Sequence, residues 1–222
     1  MKQLVVAVDG PSGSGKSSVS KEAARRLGAA YLDTGAMYRA VTWHCLDAGT
    51  DLTDAAAVAS AVRTADLSIS TDPDVDEVRI HGTDVTLAIR EPFVSEAVSA
   101  VATNLEARAE LVRRQRELIA GQGRIVAEGR DITTVVAPDA DARILLTASE
   151  EARLRRRGMQ LGGTQSSEQL HRQVLTRDAR DSTVTNFTTA ADGVVTLDSS
   201  ELDFEQTVRA VLEIVQGRPE RA

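Results

Sequence analysis

The chain has 222 residues and a formal net charge of -7 at pH 7. That length buries one sizeable core with small appended subdomains, while the acid excess argues against holding a nucleic-acid polymer by bulk charge. Cys45 is the single cysteine, which excludes an intramolecular disulfide and a cysteine metal cluster and leaves a buried, inert thiol as the expectation.

Leu4 to Val8 reads as a short buried strand. It reaches Gly10 and Pro11 too soon for a secretory leader, and no apolar run approaches the roughly 18 residues of a membrane span, so a soluble cytoplasmic chain is expected. A Gly/Ser turn follows, then a helix from Ser17 to Leu27 closed by Gly28, and a second helix from Ala36 to Asp47. Thr53 or Asp54 caps another helix through about Thr64. Residues 66–90 form a small antiparallel insert with strands at Leu67–Ser70, Val78–His81 and Val85–Ile89 around turn chemistry at Asp72-Pro73 and Gly82.

Pro92 opens a helical stretch to about Ala120, interrupted near Thr103-Asn104. Strands at Arg124–Ala127 and Arg143–Thr147 follow, then an arginine-rich helix from about Ser149 and a polar loop over Gly158–Ser167. Helix His171–Asp181, strand Val194–Leu197 and helix Phe204–Val215 complete the pattern. Strands separated by helices predict an α/β fold: one domain over residues 1–222, with a central parallel sheet flanked by helices.

Three lysines stand against 23 arginines, clustered at 113–116 and 153–157. Arginine forks grip phosphate bidentately, which suits a small anionic ligand. The strongest motif is Gly10-Pro11-Ser12-Gly13-Ser14-Gly15-Lys16-Ser17, with Ser18 behind it. It matches G-x-x-x-x-G-K-[ST] between a strand and a helix, where backbone N–H groups surround a β-phosphate, Lys16 reaches the β- and γ-phosphates and the Ser17 hydroxyl serves Mg²⁺. A nucleoside triphosphate is thereby expected; the N-K-x-D pattern of guanine-reading switches is absent.

Asp33-Thr34-Gly35-Ala36-Met37-Tyr38-Arg39 sets Arg39 one turn into a helix beside the phosphate loop, where a second phosphate fits. Glu128-Gly129-Arg130-Asp131 ends a strand at the sheet edge where ligands bind in open parallel sheets. His44, His81 and His171 lack metal-ligand spacing, and the acidic turn around Asp72, Asp74, Asp76 and Glu77 lacks the glycine and terminal glutamate of a calcium loop.

Taken in order, the phosphate loop, D-T-G-A-M-Y-R, Leu87-Ala88-Ile89-Arg90, Val112-Arg113-Arg114-Gln115-Arg116, G-R-D-I and R-D-x-x-D-S resemble bacterial cytidylate kinases over nearly the whole chain. The resemblance implies a P-loop core with an NMP-binding insert at 66–90 and a lid at 150–167, transferring the γ-phosphoryl group of ATP to CMP or dCMP with Mg²⁺. Asp131 would accept from the cytosine amino group while Ser99 and Arg108 donate to the ring. Arg39 and Arg130 would hold the acceptor phosphate with Thr34 and Tyr38 near it, and Arg177 and Asp181 would lie by phosphate and ribose. Lys16, Arg130, Arg153 and Arg157 would neutralise the transferring group, with Arg156 beside Arg153 and Arg157 as a further lid candidate. The nucleotides are the only partners so implied, with no membrane or nucleic-acid polymer, and a monomer is the default. One departure is Val184, where the family usually carries arginine; Arg180 or a lid arginine is the expected substitute, or turnover is lower. A kinase for another small acceptor, such as shikimate, and a catalytically impaired nucleotide-binding regulator remain as alternatives.

Overall fold

A computed structural model describes residues 3–160 and 177–217, apart from the side chains of residues 160, 177 and 180. Its centre is a five-stranded parallel sheet in the order β2-β6-β1-β7-β8. These strands are β1 Leu4–Asp9, β2 Ala30–Asp33, β6 Arg124–Gly129, β7 Ala142–Thr147 and β8 Val195–Asp198. A separate antiparallel sheet carries β3 Leu67–Ile69, β4 Val78–Ile80 and β5 Thr83–Asp84. The helices are α1 Lys16–Leu27, α2 Thr34–Asp47, α3 Ala55–Thr64, α4 Pro92–Ala102, α5 Leu105–Ala120, α6 Glu150–Gln160, α7 Arg177–Asp181 and α8 Phe204–Gln216.

Side chains alternate across the strands, so each central strand feeds two cores. Leu32, Ile125 and Ala127 pack with Met37 and Val41 of α2 and Leu111 of α5 on one face. Val6, Val8, Val126 and Ile144 pack with Val19 of α1 and Val208 and Val211 of α8 on the other. Fully burying side chains of this kind contributes about 1.5–3 kcal/mol each. The helix starts follow local chemistry: Asp33, Asp54, Asn104 and Asp203 each accept backbone N–H bonds, the last in a capping box with Gln206.

Strand order positions the chemistry. The adjacent strands β2, β6 and β1 end in register, with Asp33 opposite Glu128 and Asp9 opposite Gly129. Their C-terminal loops therefore converge at one sheet edge, carrying Thr34 and Arg39, then Arg130 and Asp131, then the Gly10–Ser17 loop.

Three local expectations change. Ala30–Asp33 is a strand, although four residues abutting a helix cap carry too little periodicity to announce it. The expected strand at Val85–Ile89 is instead the two-residue β5 followed by a 3₁₀ turn at Ala88–Arg90, because Thr86 caps the hairpin: its hydroxyl accepts from Val78 N and donates to Asp84. Gly158 to Gln160, expected in a loop, continue helix α6; the rest of that loop and most of the helix expected from His171 lie outside the described residues. The acidic turn of the insert is engaged by α1, through Lys21 to Asp76 at 2.6 Å and Arg25 to Asp74 at 2.7 Å.

Candidate active site

Gly13 and Gly15 adopt φ of 78° and 90°, a left-handed backbone that side chains rarely tolerate. A Cβ on Gly13 would also meet the Arg153 carbonyl oxygen at 2.7 Å, so the loop closes against α6. Gly15 is the N-cap of α1, and it supplies no side chain to the first-turn N–H groups; nor does that turn contain an acidic residue. The positive end of the helix dipole thus faces the loop's interior, ready for phosphate. Lys16 Nζ donates to the Pro11 carbonyl at 3.4 Å, and Ser18 Oγ to the Gly15 carbonyl at 3.1 Å.

Two cavities open from this loop. The larger, about 740 Å³, is lined by Ser12 to Ser18 and by Arg39, Arg90, Arg156 and Arg157, with Met159, Leu202 and Phe204 forming an apolar end. The smaller, about 90 Å³, is lined by Thr34, Tyr38, Arg39, Arg108, Arg130, Asp131 and Asp181. Ser12, Lys16, Ser17, Asp33 and Arg39 line both, so the cavities meet at the end of the phosphate loop.

Polar groups of the smaller cavity are paired with one another. Arg108 donates to Asp131 Oδ2 in a short contact and Arg39 bonds Asp33 Oδ2 at 3.0 Å; Ser99 does not itself line the cavity and reaches it only through Asp181, to whose Oδ1 its Oγ donates at 3.0 Å. Arg130 donates to Ser12 Oγ at 2.7 Å, contacts Asp178 Oδ1 at 2.8 Å and Asp181 Oδ2 at 3.2 Å, and lies 4.4 Å over the buried Phe187 ring. Burial raises the Asp131 carboxyl and the Arg108 charge opposes that rise. Burial, then the Asp131 charge, pushes the Tyr38 hydroxyl above its ordinary value and keeps it neutral. Val184 also lines this cavity, with no charge to offer; the side chains of Arg177 and of Arg180, its expected substitute, lie outside the described residues.

Helix α6 divides its arginines. Arg157 lines the larger cavity, its pKa lowered by burial and then by repulsion from Arg39 and Arg90. Arg153 borders neither cavity and instead donates to the Ser12 carbonyl and, in a short contact, to Asp178 Oδ2. Arg156 lines the larger cavity while bonding the carbonyls of Ser14, Ser199 and Leu202, so it ties the phosphate loop to the segment after β8.

Sequence reasoning gave no role to three carboxylates. Asp178, embedded in R-D-x-x-D-S, accepts from the backbone N–H of Ser12 at 3.1 Å besides its contacts to Arg130 and Arg153. Asp9 accepts from Ile132 N, Thr133 N and Thr133 Oγ1, fixing the π-helical turn Ile132–Val136 that follows Asp131. Glu128 accepts from Ser17 Oγ at 2.6 Å and is fully buried. Burial and the Asp33 charge push its carboxyl up to about 7 against the opposing pull of Lys16. Burial also acts to raise Asp33, but Arg39 and the Ala36 N–H hold it below the ordinary value. A hydroxyl and two carboxylates at the loop's end make the hard-oxygen surroundings that suit a magnesium ion shared with phosphates.

A parallel sheet with an uncapped phosphate loop and a second arginine-lined cavity at its end defines a P-loop kinase. Solved structures agree on the fold: an uncharacterised protein from Eubacterium ventriosum aligns at TM-score 0.54 and 10% identity over 97% of this chain and 100% of that one. A gluconokinase from Sinorhizobium meliloti aligns at TM-score 0.54 and 16% identity over 96% and 92%. The family profile described as cytidylate kinase matches residues 6–217. The cytidylate kinase of Cutibacterium acnes is 48% identical over 96% of both chains, and that of Nocardia farcinica 49% identical over 96% of this chain and 93% of that one. The chain belongs to the cytidylate kinase family, ATP-dependent kinases that phosphorylate CMP and dCMP. No helix among the described residues is long and apolar enough to cross a membrane.

Proposed function

We propose that the larger cavity takes ATP and the smaller one CMP or dCMP, and that the γ-phosphoryl group passes between them where the two meet. The observation that carries this reading is the shared lining of Ser12, Lys16, Ser17, Asp33 and Arg39. Adenine lies toward Met159, Leu202 and Phe204, and the triphosphate folds around the uncapped start of α1.

Asp131 accepts from the cytosine amino group, and Arg108 and Ser99 donate to the ring. Uracil presents an N–H and a carbonyl in the opposite sense, a mispairing that costs on the order of a few kcal/mol. Arg39 and Arg130 hold the acceptor phosphate with Thr34 and Tyr38 beside it, and Arg177 and Asp181 complete the phosphate and ribose side. Because Arg108, Asp131, Arg130 and Asp181 are paired internally, acceptor binding exchanges these contacts for contacts to the nucleotide. The insert at 66–90 contributes no lining residue to the smaller cavity and braces it from behind α2.

The nucleophile is an acceptor phosphate oxygen, largely dianionic at neutral pH since its second ionisation lies near ~6. It attacks the γ-phosphorus as the bond to the bridging oxygen breaks and ADP leaves; no side-chain base takes a proton. The barrier is the approach of two anions, lowered by Lys16, Arg39, Arg130 and Arg157. Arg153 acts by holding the loop through Ser12. Ser17, with Glu128 and Asp33 behind it, holds Mg²⁺, which supplies charge neutralisation at the phosphates when bound. Helix α6 borders the donor through Arg156, Arg157 and Met159 and keeps water away on that side. The chain works as a cytoplasmic monomer.

A coupled ADP-release assay with ATP, Mg²⁺ and CMP, dCMP, UMP, AMP, GMP or shikimate tests this reading. Turnover selective for CMP and dCMP is expected; equal turnover of UMP, or none with any acceptor, would refute it.

A further inference from the structure

Among the described residues, five cations line the larger cavity: Lys16, Arg39, Arg90, Arg156 and Arg157. Arg39 is paired with Asp33, Arg156 is tied to three carbonyls, and Lys16 reaches the Pro11 carbonyl. Arg90 differs, since its side chain makes no hydrogen bond or ion pair with any described residue. Its backbone is nevertheless fixed. Ile89 is 1% exposed and its N–H bonds the Val85 carbonyl, the Arg90 N–H bonds the Leu87 carbonyl, and Pro92 starts α4 two residues later.

Arg90 also lines the groove between α1 and the insert, alongside Val78, Thr86 and Asp76, so it stands where the insert meets the phosphate loop. Asp33 feels its charge but is already engaged by Arg39 and by the Ala36 N–H. Arg90 and Arg39 both repel Arg157, whose pKa falls mainly through burial. A guanidinium with no bonded partner among the described residues, held among like charges, adds little to the fold there; an anion entering between Lys16, Arg90 and Arg157 relieves all three.

We propose that Arg90 is a catalytic residue that the insert presents to the γ-phosphoryl group of the donor during transfer. This rests on the assignment of the larger cavity to ATP. The choice of donor over acceptor follows from the linings: Arg90 borders the cavity of Ser12 to Ser18 and is absent from that of Tyr38, Arg108 and Asp131. The guanidinium fork shares two oxygens of the group in flight, where a lysine would offer only a point charge.

The test compares Arg90→Ala, Arg90→Lys and Lys16→Ala with the parent in steady-state assays that vary ATP·Mg²⁺ and CMP separately. Arg90→Ala is expected to lose about 100-fold in kcat, the low end of the range for removing one transition-state charge partner. The KM for CMP should move less than about threefold, and lysine should recover only part of the loss. Because the Arg90 side chain bonds no described residue, the Tm of Arg90→Ala should stay within about 2 °C of the parent. A kcat within twofold of the parent would overturn the proposal, as would a loss confined to the KM for CMP or a kcat loss matched by a collapse in Tm that Arg90→Lys repairs fully. An inactive Lys16→Ala beside a normal Arg90→Ala would sink Arg90 alone, whereas an active Lys16→Ala would refute the cavity assignment beneath it.

Discussion

Replacing Asp178 by asparagine probes how the phosphate loop is held. This buried carboxylate accepts from Ser12 N at 3.1 Å, meets Arg130 at 2.8 Å and makes a short contact with Arg153. Removing one member of a buried ion pair costs about 3–5 kcal/mol when the partner is stranded. Here the partners keep other contacts: Arg130 retains Ser12 Oγ at 2.7 Å and Asp181 at 3.2 Å, and Arg153 retains the Ser12 carbonyl at 3.1 Å. Asparagine also preserves an acceptor for Ser12 N, so the loss is estimated at about 2–4 kcal/mol. For a chain of this size that lowers Tm by roughly 5–15 °C. Since the same carboxylate fixes Ser12 and Arg130, the KM values for ATP and CMP should both rise, by about threefold or more. Thermal unfolding and steady-state kinetics of Asp178→Asn check both readouts. A Tm within about 1 °C of the parent with unchanged KM values would show that Asp178 does not organise the loop.

Gly129→Ala would place a Cβ 2.4 Å from Thr34 Oγ1 and 2.8 Å from Ile132, so a loss of about 1–3 kcal/mol in denaturant unfolding and a raised KM for CMP are expected. Glu128 keeps its proton in the folded chain to about pH 7 but loses it near 4.5 when unfolded. The folded state therefore binds more protons in that window, and stability in EDTA should fall as pH rises through it. Glu128→Gln should remove that component, its Tm advantage growing from pH 4.5 to 7; a pH-independent difference would contradict the burial argument. Val184→Arg, at the rim of the smaller cavity, should raise kcat roughly fivefold, the equivalent of about 1 kcal/mol. An unchanged kcat would show that this position does not limit turnover.

The helices with strong boundary chemistry were legible in the chain. Asp54, Asn104 with Pro92, and Gly28 mark starts and stops that the structure reproduces, and the G-K-S motif marks the phosphate loop directly. β2 was not legible, because Ala30–Asp33 has a strand's burial on both faces but too few residues for a period. The insert's third strand failed for a different reason, the Thr86 side chain competing with the backbone for the ladder position. At the site, side chains that border both cavities follow from motifs, whereas partnerships depend on which strands are neighbours. Nothing local in R-D-x-x-D-S says that Asp178 will meet a loop 166 residues earlier, and the arginine run at 153–157 does not reveal that Arg153 and Arg156 hold the loop while Arg157 faces the cavity. The pairing of Glu128 with Ser17 likewise appears only when β6 lies beside β1.

The most direct test of cytosine reading in the smaller cavity is the ratio of kcat/KM for CMP to that for UMP, measured in the parent and in Asp131→Asn. A preference for CMP of about a hundredfold or more, collapsing by at least tenfold in the variant, is the expected result, matching a mispairing of a few kcal/mol. A ratio that Asp131→Asn leaves unchanged would contradict the account.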